Sequence, residues 1–180
     1  MNFCSNCGSP VESKIPAGDL LPRFVCTGCN MVHYKNPLLV LGCVPEWQNK
    51  ILLCRRAIEP RLGFWTVPAG FMENGETMQQ AAARECQEEA LAEVDVGSLL
   101  AIVNVTRANQ VHVMFRATLR QPKFAPGAES LEVALFEEAQ IPWPELAFAS
   151  GEYALRQYFA DRSAGCEQHH FTELKSRSPA

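Results

Sequence analysis

Apolar and polar residues alternate with different periods along this chain, and each change of period marks an element. Leu38–Val44 is a continuous apolar run, which predicts a strand buried on both faces. Glu46–Lys50 reads as a turn, and Ile51–Arg55 returns as a second strand. Between Gly70 and Ala92 the pattern changes to helical spacing, with the small side chains Ala82, Ala83, Cys86 and Ala90 on one face. Glu76 and Thr77 open that helix, where a carboxylate complements the dipole. Ser98–Val105 and Gln110–Arg120 predict strands; in the second, Val111, Val113, Phe115, Ala117 and Leu119 alternate with His112, Met114, Arg116 and Thr118. Pro122–Ala128 is a loop, Val133–Phe136 a further strand, and Pro142-Trp143-Pro144 interrupts the chain. A closing helix is expected from Ser150, as its cap, through Phe159. From Arg162 onward no period survives, and residues 161–180 read as a flexible tail.

The helix carries the candidate chemistry. Successive residues rotate by about 100° around a helix axis, so Glu85, Glu88 and Glu89 share one narrow face beside Arg84. Like charges at that spacing repel by roughly 0.2–0.5 kcal/mol per pair. A divalent cation relieves the repulsion, with the Gly70 carbonyl in the loop shaped by Pro68 as a further ligand. A solvated acidic face is the other reading of the same pattern, and the pattern alone leaves both open. Arg56, at a strand exit, is either an oxyanion ligand or a surface salt-bridge residue. Trp65 is expected to pack in the core, and His112 to be a hydrogen-bonded sheet histidine rather than a substrate contact.

Composition narrows the class. The chain has 180 residues, 47% hydrophobic, which fits one domain or a domain plus a small module. A net charge of −4 gives no general attraction to nucleic acid. No apolar run is long enough to span a membrane, and M-N-F-C-S-N-C-G lacks the features of a signal peptide, so a cytoplasmic protein is expected. Four of the eight cysteines form two C-x-x-C pairs, Cys4/Cys7 and Cys26/Cys29. In a reducing compartment this spacing predicts a zinc ribbon over residues 1–34 rather than disulfides, the alternative being a redox dithiol. Lys14–Phe24 holds too few apolar residues for a core, so zinc would supply the folding free energy. With four sulfurs filling a tetrahedron, His33 is expected to be an ordinary surface or packing residue.

Residues 70–92 resemble the signature box of the Nudix hydrolases: Gly, five residues, Glu, seven residues, then Arg-Glu-apolar-x-Glu-Glu-x-Gly-apolar. Gly70, Glu76, Arg84, Glu85, Cys86, Glu88 and Glu89 match; the penultimate glycine is Leu91 here, so the helix end is expected to differ. The resemblance implies an α/β fold, a mixed sheet sandwiched between helices, over residues 35–160. It further implies Mg²⁺ or Mn²⁺ held by Gly70, Glu85, Glu88 and Glu89, with Glu76 and Arg84 orienting those ligands. An additional carboxylate outside the box, Glu129 in preference to Glu132, is implied as ligand or general base, with Glu85 the other candidate base. The segments R-R-A-I-E-P, F-A-P-G-A-E-S-L-E-V and I-P-W-P-E-L-A-F, with the ribbon, are similar to a zinc-ribbon Nudix group that includes the plant chloroplast FAD pyrophosphatase.

That likeness implies hydrolysis of FAD to FMN and AMP. NADH, ADP-ribose and dinucleoside polyphosphates are the alternatives, and NADH is weakened because no S-Q-P-W-P-F-P-x-S motif follows the box. A nucleotide-sensing regulator is the alternative of another class, disfavoured by the complete set of box charges. A small nucleotide is the expected partner, nucleic acid is not, and a homodimer built through the ribbon is carried as an expectation.

Overall fold

The computed structural model describes residues 1–174. The chain forms two compact units, Met1–Pro37 and the residues from Leu38 onward. The first is a three-stranded antiparallel sheet of β1 (Val11–Lys14), β2 (Arg23–Cys26) and β3 (Val32–His33), in that order. Cys4, Val25 and Cys26 are its buried residues. So small a core cannot stabilise the unit without another contribution.

The second unit is built on one mixed sheet. Its elements are β4 (Leu38–Trp47), β5 (Lys50–Arg56), β6 (Trp65–Thr66), β7 (Ala69–Phe71), α1 (Met78–Ala90), β8 (Val94–Val105), β9 (Gln110–Leu119), β10 (Ser130–Phe136), α2 (Ala149–Ala164) and β11 (His170–Glu173). The strand order is β10-β5-β4-β9-β8-β11, with β6 on β5 and β7 on β4. The β4–β9 and β8–β11 pairs are parallel and the others antiparallel. Gln48 and Asn49 join β4 to β5 with φ of 49° and 67°, the backbone of a tight two-residue hairpin.

Both faces of the sheet are covered, which explains the unbroken apolar run of β4. Leu41 and Cys43 face α1 together with Leu52, Cys54, Val113 and Phe115. Val44, Ile51, Leu53, Leu100 and Met114 face α2, against Ala154, Leu155 and Phe159. Helix α1 presents Ala81, Ala82, Cys86 and Ala90, all fully buried. Such short side chains bring the helix backbone close to the sheet and hold its carboxylate edge at a fixed height above the strands.

Three expectations are corrected. Ser150 does not cap α2: Phe148 holds that position without a side-chain bond, and Ser150 lies buried in the first turn. The helix also continues to Ala164, where Gly165 closes it with a positive φ. Residues 161–174 are not a loose tail. β11 pairs with β8 from His170↔Ala101 to Glu173↔Asn104, and Asp161 accepts from the Gln168 N–H and contacts His170 Nε2. The buried carboxylate gathers a polar segment that has no apolar period of its own. The rest of that expected tail, 175–180, lies outside the described residues. Among the described residues no helix is long and apolar enough to cross a membrane.

The end of α1 also departs from expectation. Leu91 itself takes the left-handed conformation, φ 48° and ψ 34°, and its N–H bonds the Gln87 carbonyl. The geometry a glycine would supply is kept, with a half-exposed leucine bearing the strain. A left-handed non-glycine residue costs roughly 1–2 kcal/mol, partly offset by the greater unfolded-state freedom of glycine. Leu91→Gly is therefore expected to raise stability by about 0.5–1 kcal/mol, read as a higher urea midpoint at unchanged slope.

Candidate active site

The site starts at the entry to α1. Thr77 caps the helix reciprocally with Gln80, its hydroxyl accepting from the Gln80 N–H while Gln80 Oε1 accepts from the Thr77 N–H. Glu76, just before the cap, turns instead to Arg84: Nε and Nη2 of Arg84 donate to its two oxygens at 3.0 and 2.9 Å. Arg84 Nη2 also donates to the Phe71 carbonyl, and Nη1 donates to Glu85 at 2.7 Å and Glu88 at 3.2 Å. One guanidinium thus ties the loop, the helix start and two of the clustered carboxylates into one frame. The Arg84 hydrogen bonds, with the Glu73 N–H, hold the Glu76 carboxyl down to about 2.

The carboxylates are not equivalent. Glu85 and Glu89 are buried, at 8% and 6% exposure, whereas Glu88 projects outward. Gly70 in β7 lies against Glu85 so closely that a Cβ there would sit 2.3 Å from its carboxylate. A larger residue there would displace the Glu85 carboxylate from this position. Burial raises Glu85 despite Arg84, and burial followed by the Glu85 charge pushes Glu89 up to about 8. Glu89 Oε2 is buried with no hydrogen-bond partner. An orphaned buried carboxylate oxygen, beside a second buried carboxylate, fits the hard oxygen donor set of Mg²⁺ or Mn²⁺.

A loop brings in the next acid. The N–H groups of Ala125 and Gly127 donate to the Ala90 and Glu89 carbonyls, satisfying the end of α1. A Cβ on Gly127 would fall 1.7 Å from the Glu88 carbonyl oxygen, so the contact exists only with glycine. Glu129 follows two residues later, its carbonyl bonded to the Ala57 N–H, and its charge acts on both Glu85 and Glu89. Arg56 pairs in register with Ser130 and is the cation whose charge opposes the rise of Glu89. Glu132 is drawn elsewhere, 3.6 Å from Arg55 Nη1. The structure therefore brings Gly70, Glu76, Arg84, Glu85, Glu88, Glu89, Glu129 and Arg56 to one region and leaves Glu132 out.

In the first unit, the sulfurs of Cys4, Cys7, Cys26 and Cys29 all lie within 4.8 Å of one another. Tetrahedral Zn²⁺ with bonds near 2.3 Å requires sulfurs about 3.8 Å apart. The closest pairs, Cys4–Cys29 at 3.8 Å and Cys7–Cys26 at 3.4 Å, fit that cage. Backbone N–H groups of Asn6, Gly28 and Cys29 donate to Cys4 or Cys26. Hydrogen bonds from Ser9 hold Cys7 down to about 6. His33 is more than a bystander, because its Nε2 lies 3.2 Å from Cys4 Sγ. That contact is the kind of outer support thiolate ligands receive. Metal analysis of purified protein is expected to give about one zinc per chain, released on thiol modification. A value near zero removes the assignment.

Two family models match this chain: one described as Nudix N-terminal, a zinc ribbon, over residues 2–35, and one described as NUDIX domain over residues 37–159. The chain belongs to the Nudix hydrolase family. A solved NUDIX hydrolase from Nitrosomonas europaea is 48% identical, with a TM-score of 0.95, covering 98% of this chain and all of that one. The ADP-ribose pyrophosphatase of Methanocaldococcus jannaschii is 30% identical over 119 residues, 64% of this chain and 69% of that protein. The NAD-capped RNA hydrolase NudC of Stutzerimonas stutzeri is 26% identical over 163 residues. That match spans 89% of this chain but only 56% of NudC.

Other polar groups of the Nudix domain serve packing. Trp65 is buried edge-on against Phe136, with ring centroids 4.9 Å apart. His112 bonds Ser150 Oγ and Gln110 Oε1, each at 2.9 Å, and burial keeps it below its ordinary range. The cluster that sequence reasoning missed is Arg116, Asp161 and His170. Arg116 bonds Asp161 and the Leu99 and Gln168 carbonyls. Burial pushes the Asp161 carboxyl up, but hydrogen bonds from His170 and the Gln168 N–H outweigh it and hold it low. Its members are 45 and 54 residues from Arg116 in the chain, and no local pattern links them.

Proposed function

We propose that this chain hydrolyses the pyrophosphate bond of a nucleoside diphosphate linked to a second group, with FAD as favoured substrate and FMN and AMP as products. The observation that carries the reading is the buried Glu85–Glu89 pair with its orphaned Glu89 oxygen, framed by Arg84 and faced by Glu129 and Arg56. Glu85, Glu88 and Glu89, with the Gly70 backbone, would hold divalent cations, Mg²⁺ or Mn²⁺. Bound there, such a cation neutralises phosphate oxygens and acidifies a water molecule.

The chain's own groups do the rest. Arg84, anchored by Glu76, keeps Glu85 and Glu88 from splaying apart under their mutual repulsion. Glu129 takes the proton from the attacking water, with Glu85 as the alternative acceptor. Arg56 binds a phosphate oxygen of the substrate. The water oxygen bonds to one phosphorus as the bridging oxygen leaves on the other, so no covalent nucleophile on the protein is needed.

The preference for FAD rests on segments outside the box, R-R-A-I-E-P, F-A-P-G-A-E-S-L-E-V and I-P-W-P-E-L-A-F, which resemble the FAD pyrophosphatase group. ADP-ribose is the second reading, favoured by the relative from Methanocaldococcus jannaschii named for it. A hydrolysis panel of FAD, NADH, ADP-ribose and diadenosine polyphosphates, with Mg²⁺ and with chelator, separates the two. FAD is expected to lead by kcat/KM and every rate to vanish in chelator. ADP-ribose in first place moves the conclusion to the second reading, and no turnover of any compound sinks both.

A further inference from the structure

Arg56 is held in an unusual way for a cation beside a carboxylate cluster. Its Nε donates to the Pro60 carbonyl at 2.9 Å, and its guanidinium lies 5.0 Å over the ring of Phe148, the residue that opens α2. Among the described residues the two Nη groups make no hydrogen bond, while the Arg56 charge acts on Glu89. A guanidinium with its face stacked and its Nε occupied keeps one fork of N–H donors in a fixed plane. The backbone fixes the other end: Arg56 ends β5, pairs with Ser130, and donates its N–H to Phe64. Among the described residues, Phe148 belongs to neither main core cluster, and its ring is half-buried.

We propose that Phe148 is a positioning residue that holds the Arg56 fork toward the diphosphate of the substrate. This rests on the pyrophosphatase reading above and adds a residue from a different helix to it. Phe148 lies 92 residues from Arg56, within I-P-W-P-E-L-A-F, so the segment outside the box gains a physical role. Without the ring, Arg56 samples several rotamers, and an ordering cost then falls on substrate binding. The rival role for Phe148 is direct stacking on a base or flavin ring, which requires no arginine.

A double-mutant cycle distinguishes them. Phe148→Leu, Phe148→Tyr, Arg56→Ala and the Phe148→Leu/Arg56→Ala pair are compared by kcat/KM on the best panel substrate. Binding of α,β-methylene ADP, whose bridging carbon resists hydrolysis, is measured by calorimetry for the wild type and single variants. Phe148→Leu is expected to weaken binding and raise KM roughly three- to tenfold with kcat little changed. Phe148→Tyr restores both, and in the Arg56→Ala background the leucine substitution has no further effect. An equal loss in both backgrounds, or no loss in either, overturns the inference while the pyrophosphatase reading stands. A wild-type protein that neither binds α,β-methylene ADP nor hydrolyses any panel compound overturns that reading and this inference together. Thermal midpoints within about 2 °C of wild type are expected for all four variants, which separates positioning from misfolding.

Discussion

Glu89→Gln is expected to give a protein that is more stable without metal and inactive with it. Burial, and then the charge of Glu85, push the wild-type Glu89 carboxyl up to about 8 in the folded chain, against an ordinary value of 4.5. Between those two values the unfolded chain has already lost the proton and the folded chain still holds it. Stability of the metal-free protein therefore falls as pH rises through that window, by up to about 1.4 kcal/mol per pH unit. Below 4.5 and above 8 this group adds no slope. A neutral glutamine removes the dependence, so metal-free Glu89→Gln should exceed the wild type at pH 8 by about 2–4 kcal/mol. Magnesium reverses the ranking, because it binds the ionised carboxylate and stabilises only the wild type. The magnesium concentration needed for half-maximal stabilisation should then fall as pH rises from 6 to 8. Hydrolysis by the variant should drop by about a thousandfold or more, a loss of roughly 4 kcal/mol of transition-state stabilisation. Thermal unfolding against pH, with chelator and with magnesium, reads all of this. A metal-free wild type whose stability is flat between pH 5 and 8 would show that Glu89 is not held protonated, and the site as drawn would fail.

Gly127→Ala should damage both stability and activity although it removes no charge. The added methyl would sit 1.7 Å from the Glu88 carbonyl oxygen and 2.8 Å from the carbonyl carbon, both backbone atoms that no rotamer change can move aside. Either the loop lifts off the end of α1, losing the Ala125 and Gly127 bonds to the Ala90 and Glu89 carbonyls, or the last helical turn shifts. Overpacking and two lost hydrogen bonds together cost about 3 kcal/mol, a fall in Tm of roughly 6–12 °C for a domain of this size. Glu129 and Glu89 move apart in either case, so kcat should fall at least about tenfold even at temperatures where the variant is folded. Gly97→Ala is the control, since a Cβ there meets only the Arg116 carbonyl oxygen at 3.4 Å. Equal losses from the two substitutions would mean that general glycine effects, not the loop contact, explain the result.

What could be read without coordinates were the features whose physics is local. Periodicity placed β4, β5, β9 and α1, because a strand alternates every two residues and a helix every three to four, whatever the rest of the chain does. The box charges on α1 and the two C-x-x-C pairs were legible for the same reason: helical rotation and tight turns bring those residues together by themselves. The family resemblance, together with chain order, brought Glu129 and Glu132 forward as candidates; only the fold shows the Ala125–Gly127 loop docked on the helix end and Glu132 drawn to Arg55.

Tertiary structure alone decided the burial of Glu85 and Glu89 while Glu88 stays outside, since the three look alike on a helical wheel and differ by which one the sheet covers. It decided that Ser150 serves the half-buried His112 ring rather than a helix end. It also ordered residues 165–174, whose polar sequence shows no period: the Asp161 carboxylate binds the Gln168 N–H and His170, and His170–Glu173 pair with β8 as a parallel strand. Spacing along the chain carries interactions between neighbours; burial and long-range pairing arise when separate segments compete for the same space, and that competition is resolved only in the folded molecule.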